Sequence, residues 1–258
     1  MMKTPAIIVL TLLAVNLYAQ NVTYVAHRGA SYIAPENTLA SISLAWELDA
    51  AAAECDIMLT RDNKVILFHD KKGKRLTGEK FVVKETDYSD IRDYTILLND
   101  TNHEKYAGEK IPLLSEVLAG VPADRTLVIE IKTGPEILPY MQQVISQHWK
   151  TGNIVFIAFD LETILATKKL YPETPCYYLS AFRGDINRKY NVLSESNLEG
   201  VNLRHKIIDS DLVEKFNSAG MDVWCWTVDD PEDAKNMINA GVTAITTNRP
   251  KWLRKQME

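Results

Sequence analysis

The sequence predicts an α/β fold, a (β/α)8 TIM barrel with a short insertion after the second-strand hairpin. Three observations favour this fold class. The length of 258 residues suits one large barrel domain. Short apolar segments typical of strands alternate with capped helical segments along most of the chain. Eight of the apolar segments can be parallel neighbours, which is the number of strands that closes such a barrel.

The alternation is clearest in the second half of the chain. The segment DSDLVEKFNSAG, residues 209–220, begins with cap residues, carries apolar residues at helical spacing and ends on Gly220. A strand-like segment, MDVWCWTV, follows it. The segment DDPEDAKNMINAG, residues 229–241, then repeats the scheme, with Asp230 as the cap and Pro231 in the first turn. Repeated strand–helix units of this kind predict a parallel sheet.

Nine segments are predicted as strands, and two of them form a hairpin. AAECDIML and KVILFHD are joined only by the turn TRDN, whereas a parallel crossover needs about a dozen residues or more. These two segments are therefore antiparallel, and the remaining eight make the barrel. In chain order the nine are TYVAHR, AAECDIML, KVILFHD, TLVIEIK, NIVFIAF, TPCYYLS, GVNLR, DVWCWTV and VTAITTN.

Residues 71–110 interrupt the strand–helix pattern. The segment is polar, rich in charged and aromatic residues, and has no clean period. We interpret it as an insertion over one mouth of the barrel that shapes substrate access; a solvated loop without a role is the alternative. No second domain is predicted, so residues 20–258 form a single barrel domain.

The first 19 residues are predicted to be a secretory signal peptide. Lys3 gives the positive start, residues 6–15 form an apolar segment too short for a comfortable membrane span, and Ala19 suits the position before cleavage. An uncleaved N-terminal anchor is the alternative. Cleavage predicts a secreted or periplasmic protein whose mature chain does not insert stably into a membrane.

Charge and cysteine content exclude several classes of partner and site. The net charge is −5 and no basic cluster stands out, which argues against nucleic acid as a partner. Cys55, Cys176 and Cys225 are odd in number and lie in apolar segments. They are expected to be buried free thiols rather than a disulfide framework or a zinc site.

Acidic residues lie within predicted strands, toward the ends where a barrel of this class has its active site. Glu54 and Asp56 share one face of their strand because side chains two apart point the same way, and Glu130 lies on the next barrel strand. Three buried carboxylates need compensating charge. Oxygen ligands without a Cys or His cluster favour one divalent cation, Mg²⁺ or Ca²⁺, over zinc. Buried salt bridges to Arg28 and Lys132 are the alternative.

Two histidines, His27 and His69, also lie at predicted strand ends. An imidazole titrates near neutral pH, so one histidine can accept a proton while the other donates one. The hairpin folds His69 back beside the strand that carries Glu54. Arg28 and Lys132 add positive charge suited to the oxygens of a phosphate. These residues predict a phosphate ester as substrate, although a lone histidine in a strand is more often a satisfied core residue.

Five motifs resemble the glycerophosphodiester phosphodiesterase family, and they occur in the family's order: AHRGASYIAPENTLASI, ECDIMLTRDNKVILFHD, VIEIKTG, WTVDD and TTNRP. The first two are long and specific, and together the five span essentially the whole mature chain. The resemblance implies a metal-dependent barrel that hydrolyses glycerophosphodiesters to sn-glycerol 3-phosphate and an alcohol.

The resemblance also implies a role for each candidate residue. Glu36, in the motif before the first helix, is expected to reach the site. Trp226 is expected at the pocket wall, although core packing is the alternative because Trp224 lies on the same face. The full assignment is His27 and His69 as general acid and base, Glu54, Asp56 and Glu130 as metal ligands, and Arg28, Lys132, Glu36, Phe159 and Trp226 as substrate-binding residues.

Three other functions compete with this interpretation. A phospholipase or sphingomyelinase D-like enzyme acting on lipids would need a membrane-binding rim, and no basic amphipathic helix is predicted. A non-catalytic phosphate-binding barrel would tolerate the loss of one histidine. A glycosidase could use two carboxylates and no metal. The sequence leaves open the alcohol released, Mg²⁺ against Ca²⁺, attack by water or through a cyclic phosphate, and the oligomeric state.

Overall fold

The computed structural model describes residues 22–258, and the predicted signal peptide, residues 1–19, lies outside that range. Within the described range all nine predicted strands are present. They are β1 Thr23–Ala26, β2 Ala52–Leu59, β3 Val65–Leu67, β4 Thr126–Ile131, β5 Asn153–Ala158, β6 Cys176–Ser180, β7 Gly200–Arg204, β8 Asp222–Trp226 and β9 Ala244–Thr247.

Helices follow the strands in the expected alternation. Among the helices of residues 22–258, none combines the length and the apolar character needed to cross a bilayer. In chain order they are α1 Leu39–Glu47, α2 Lys74–Thr77, α3 Tyr88–Ile91, α4 Leu114–Leu118, α5 Leu138–His148, α6 Leu161–Leu170, α7 Arg183–Ser194, α8 Ser210–Asn217, α9 Pro231–Ala240 and α10 Pro250–Met257.

Eight parallel strands close the barrel in the order β1, β2, β4, β5, β6, β7, β8, β9, with β9 pairing back to β1. The (β/α)8 barrel is therefore confirmed. The hairpin is confirmed as well, since β3 runs antiparallel to β2 with Ile57 opposite Leu67. β2 pairs with β1 only at its first two residues, Ala52 and Ala53. Farther along the same edge of β2, β3 takes the place of β1.

β1 ends earlier than the sequence predicts. Arg28 has a left-handed backbone conformation, with φ 55°, and Gly29 follows with φ 76°. A strand cannot continue through such residues, so the chain turns away from the sheet directly after His27. A Cβ atom at Gly29 would lie 2.4 Å from the carbonyl carbon of Ser41, so the close approach of this turn to α1 requires glycine.

Apolar side chains fill two layers of the barrel. Those facing outward from the strands, such as Ile129 and Phe156, pack against the helices in one large buried cluster. Those facing inward, such as Val128 and Leu179, fill the barrel interior beneath the acidic residues. The three cysteines are buried free thiols, as expected, and burial raises the pKa of the Cys176 thiol to about 12.

Residues 71–110 pack against the outer side of the hairpin and carry the short helices α2 and α3. Their apolar side chains form a cluster with Met58 of β2, Ile66 of β3 and Phe68, which follows β3. Ile91 of α3 is fully buried in this cluster. The insertion therefore has a packed core of its own, which can hold polar side chains in fixed positions beside the barrel mouth.

Replacing Ile91 with alanine is expected to lower the free energy of unfolding by about 2–5 kcal/mol, because it leaves a cavity in this small core. Leu97, in the same segment, is 51% exposed. Leu97→Ala is the matched control and should change stability by no more than about 0.5 kcal/mol. Urea-induced unfolding followed by circular dichroism measures both; a loss in Ile91→Ala as small as that expected for Leu97→Ala would contradict a stabilising core in the insertion.

Candidate active site

Three acidic side chains of β2 and β4 converge just beyond the pairing of β2 with β1, on the carboxyl-terminal side of the barrel. Glu54 and Asp56 lie on β2, and Asp56 is opposite Glu130 of β4 in the strand register. All three residues are buried, and one carboxylate oxygen of each lies within 4.8 Å of the others. Three carboxylates gathered in this way are a donor set suited to a hard divalent cation. The predicted ligand cluster is thus brought together by the fold.

The acid cluster carries more negative charge than its surroundings balance. Burial raises the pKa of Glu54 well above its ordinary value, and the neighbouring Asp56 and Glu130 raise it further. Burial and the charge of Asp56 raise the pKa of Glu130 to about 7, although Lys132 opposes them. Burial would also raise the pKa of Asp56, but Arg28 and Lys132 outweigh it and lower that pKa. A bound cation would offset the burial and the mutual repulsion that raise the pKa of the two glutamates.

The salt bridges to Arg28 and Lys132, raised as the alternative to a metal site, are present beside this cluster. The Arg28 Nε atom lies 3.2 Å from Asp56 Oδ2. The Lys132 Nζ atom lies 2.6 Å from Glu130 Oε1 and 3.5 Å from Asp56 Oδ1. Arg28 Nη1 also donates to Glu36 Oε1 at 2.6 Å. The two cations border the acidic cluster, where both can face an anionic substrate.

The turn after β1 fixes the acids through its backbone and one amide side chain. The Arg28 backbone N–H donates to Glu54 Oε2 at 2.8 Å. Asn37 Nδ2 donates to Asp56 Oδ2 at 2.8 Å, and its Oδ1 accepts from the Asp56 backbone N–H at 2.9 Å. Asn37 also has positive φ, 57°, which is uncommon outside glycine. Strained backbone at two residues in contact with the acids indicates that the turn is shaped for the site.

His27 is held by an amide that is itself held by a carboxylate. Asn248 Nδ2 donates to Asp229 Oδ2 at 2.5 Å, so the carbonyl oxygen Oδ1 of Asn248 is the atom facing His27 Nδ1, at 2.7 Å. The Nδ1 atom of His27 therefore carries a proton, which leaves Nε2 with a lone pair. Burial and the nearby Arg28 lower the pKa of His27 to about 4. The imidazole is neutral at pH 7 and suited to accept a proton.

His69 has a different partner. Its Nδ1 lies 2.6 Å from Asp70 Oδ1. Hydrogen bonds from Arg75 lower the pKa of Asp70 to about 2, so the histidine faces a carboxylate. Burial lowers the pKa of His69, while Asp56 opposes that change. The hairpin brings His69 to the acids, since the Phe68 backbone N–H donates to the Asp56 carbonyl oxygen at 3.0 Å. The hydrogen bond to Asp70 also works to raise the pKa of His69, but burial outweighs it, so the net shift is downward.

Aromatic side chains form one wall of the mouth. Phe159 and Trp226 meet edge to face, with ring centroids 5.5 Å apart. Phe159 is 42% exposed, and the Lys132 Nζ atom lies 5.6 Å from its ring centroid. Trp224 instead stacks on Tyr177 deeper in the barrel, at 4.2 Å between centroids. The two tryptophans thus differ in position, and the role of Trp226 in substrate contact stays a prediction.

Several residues of the site are missing from the sequence-based assignment. Their side chains hold the predicted residues rather than line the acidic cluster. Four of them lie inside or beside quoted motifs, which is the only signal the sequence offers for them, and the fifth lies in the insertion. They are Asn37, Asp70, Asp229, Asn248 and Arg75.

The fold and the site define a class: a TIM-barrel enzyme whose acidic centre lies at the carboxyl ends of the strands. A family model described as "Glycerophosphoryl diester phosphodiesterase family" matches residues 27–252. The chain belongs to this family, and it is an enzyme that hydrolyses glycerophosphodiesters. The resemblance inferred from the motifs is confirmed, which favours an enzyme over the non-catalytic phosphate-binding barrel.

Individual relatives agree with the family match. A glycerophosphodiester phosphodiesterase of Caldanaerobacter subterraneus subsp. tengcongensis is 30% identical over 234 residues, covering 89% of this chain and 95% of that protein. One of Bacillus subtilis is 29% identical over 249 residues, covering 90% of this chain and 85% of that protein. The solved structure of an Oleispira antarctica phosphodiesterase in complex with its product sn-glycerol-3-phosphate superposes with a TM-score of 0.81 and 25% identity, covering 93% of this chain and 98% of that one.

Proposed function

We propose that the protein is a metal-dependent glycerophosphodiester phosphodiesterase that releases sn-glycerol 3-phosphate and an alcohol, with His27 and His69 as base and acid. The observation that carries the proposal is the pairing of three converging carboxylates with two imidazoles whose partners differ. The product held by the Oleispira antarctica enzyme supports the same substrate class.

Glu54, Asp56 and Glu130 would hold one divalent cation, Mg²⁺ or Ca²⁺. Such a cation, when bound, supplies polarisation of the phosphoryl oxygens and balances the charge that develops on them. Arg28 and Lys132, beside the acids, bind and orient the phosphate through their remaining N–H groups.

The two histidines move protons in opposite directions. His27 Nε2 takes the proton of the attacking oxygen, which belongs to water or to a hydroxyl of the glycerol. Attack by the glycerol hydroxyl would give a cyclic phosphate as the intermediate. His69, in the protonated form that the Asp70 carboxylate stabilises, gives the proton on Nε2 to the departing alcohol.

The aromatic wall and Glu36 complete the proposed substrate site. Phe159 and Trp226 offer an apolar surface to the carbon atoms of the substrate. The Glu36 carboxylate accepts hydrogen bonds from Arg28 and Arg75. Glu36 therefore acts on the substrate in part by orienting Arg28.

The test is a panel assay of the purified protein with glycerophosphocholine, glycerophosphoethanolamine, glycerophosphoglycerol and sphingomyelin vesicles, each with Mg²⁺ or Ca²⁺. We expect release of sn-glycerol 3-phosphate from the three water-soluble diesters, measured by a coupled dehydrogenase assay. Hydrolysis confined to the lipid vesicles would favour the sphingomyelinase D-like alternative over this proposal.

A further inference from the structure

Arg75 joins two carboxylates that each support a predicted active-site residue. It lies on α2 of the insertion and donates to Asp70 through Nε at 2.6 Å and Nη2 at 2.9 Å. On its other side it donates to Glu36 through Nη1 at 2.9 Å and Nη2 at 2.8 Å. Both contacts are two-pronged, so the planar guanidinium fixes the orientation as well as the distance of each carboxylate.

The Asp70 side of this arrangement leads directly to His69. The Asp70 Oδ1 atom that accepts from Arg75 is also the atom 2.6 Å from His69 Nδ1. On the opposite side, Glu36 Oε1 is shared between Arg75 and Arg28. Arg75 itself is about half exposed, at 48% of its side chain, while Glu36 is 15% exposed. Within residues 22–258, the Arg75 side chain thus bonds to these two carboxylates and not to His69 or to the three acids themselves.

The insertion holds Arg75 in place. Its neighbour Leu76 is buried in the insertion core, and the Leu97 backbone N–H donates to the Leu76 carbonyl oxygen at 2.7 Å. The first residue before α2, Gly73, lies against Phe81, where a Cβ atom would come within 2.0 Å of the ring. One side of the single turn of α2 thus packs against the insertion core. Its exposed side carries the guanidinium of Arg75.

We propose that Arg75 is a positioning residue: anchored on Glu36, it orients Asp70 and thereby sets the ring of His69 for proton donation to the leaving alcohol. The inference rests on the proposed function, in which His69 is the acid. It also gives residues 71–110 a role in catalysis, because the packed core of this segment holds the helical turn that carries the guanidinium.

A matched control exists in the same region of the chain. Arg61 donates to Asp87 through Nε at 2.9 Å and Nη2 at 2.7 Å, which is the same two-pronged pairing. It links the hairpin turn to the insertion, and its side chain is 58% exposed. In the described residues, neither Arg61 nor Asp87 hydrogen-bonds to a residue of the active site. Arg61→Gln removes an equivalent ion pair without touching His69.

The experiment compares two substrates whose leaving groups differ strongly in how much they need an acid. Choline is a poor leaving group that must be protonated, whereas p-nitrophenolate departs without a proton. R75Q, R75K, R61Q and H69A are assayed on glycerophosphocholine and on the p-nitrophenyl ester of sn-glycerol 3-phosphate. H69A reports the acid role by itself: it should lose far more kcat on the choline ester than on the p-nitrophenyl ester.

We expect R75Q to lose about 10-fold or more in kcat on the choline ester, the usual effect of removing a group that orients a ligand or catalytic side chain. The loss on the p-nitrophenyl ester should be much smaller. R75K keeps the charge but cannot make both two-pronged contacts, so it should stay impaired on the choline ester. R61Q should change kcat less than twofold on either substrate, and the thermal midpoints of R75Q and R61Q should be alike.

Two results would overturn the inference alone, without touching the proposed function. If R75Q matches R61Q on both substrates while H69A shows the selective loss, His69 is the acid but Arg75 does not position it. If R75Q slows both substrates equally, its role is general support of the structure. H69A with wild-type kcat on the choline ester would instead overturn the proposed function, and the positioning role with it.

Discussion

His27→Ala and His69→Ala are each expected to lower kcat on glycerophosphocholine by about 10²–10⁴, the range for loss of a positioned general acid or base. The fold should remain intact, since neither ring belongs to the buried apolar clusters. Activity is measured by release of sn-glycerol 3-phosphate, and folding by circular dichroism and thermal unfolding.

His148 provides the control for these two variants. It is an exposed residue at the end of α5, away from the carboxyl ends of the strands. His148→Ala should retain the activity of the unmodified protein. Unchanged turnover in both His27→Ala and His69→Ala would remove the acid–base assignment altogether.

Removing divalent ions with a chelator is expected to abolish activity, and adding back Mg²⁺ or Ca²⁺ should restore it. Metal affinity should also depend on pH. The raised pKa of Glu130, about 7, means that this carboxyl group is largely protonated below pH 7 and ionised above it. A cation must displace that proton at low pH, so affinity should fall about tenfold per pH unit below 7.

Thermal unfolding with and without metal, at pH 6 and at pH 8, measures the pH dependence of metal affinity. A cation at 100 times its dissociation constant stabilises the folded protein by about 2.7 kcal/mol, so the midpoint rises. Asp56→Asn should lose most of that rise, whereas Glu173→Gln, which replaces an exposed acid beyond α6, should keep it. Full activity in chelator, or an equal rise in Asp56→Asn, would contradict the metal site.

The fold and the central residues can be predicted from the sequence because local patterns determine them. Strand and helix segments show their periods directly, and the short TRDN turn allows only a hairpin. Alternation along β2 puts Glu54 and Asp56 on one face wherever the strand lies. The carboxyl-terminal end of β1 is predicted less accurately, because the pattern of apolar residues does not show that Arg28 has a left-handed backbone.

The supporting residues cannot be found in this way because their contacts are distant. His27 and Asn248 are 221 positions apart and meet only when β9 closes the barrel against β1. Arg75 lies in a segment without a period, and Glu36, one of its two partners, is 39 positions away. Only the three-dimensional packing of the insertion on the hairpin brings these groups together.

The exchange of partners along one edge of β2 bears on how such a protein can diversify. The ring of strands is sealed by the short pairing of Val25 and Ala26 with Ala52 and Ala53, and β3 and residues 71–110 project beyond that seam. Sequence change in this outlying segment leaves the closure of the ring untouched. This rim segment can therefore vary in sequence while the closed ring of strands beneath it is retained.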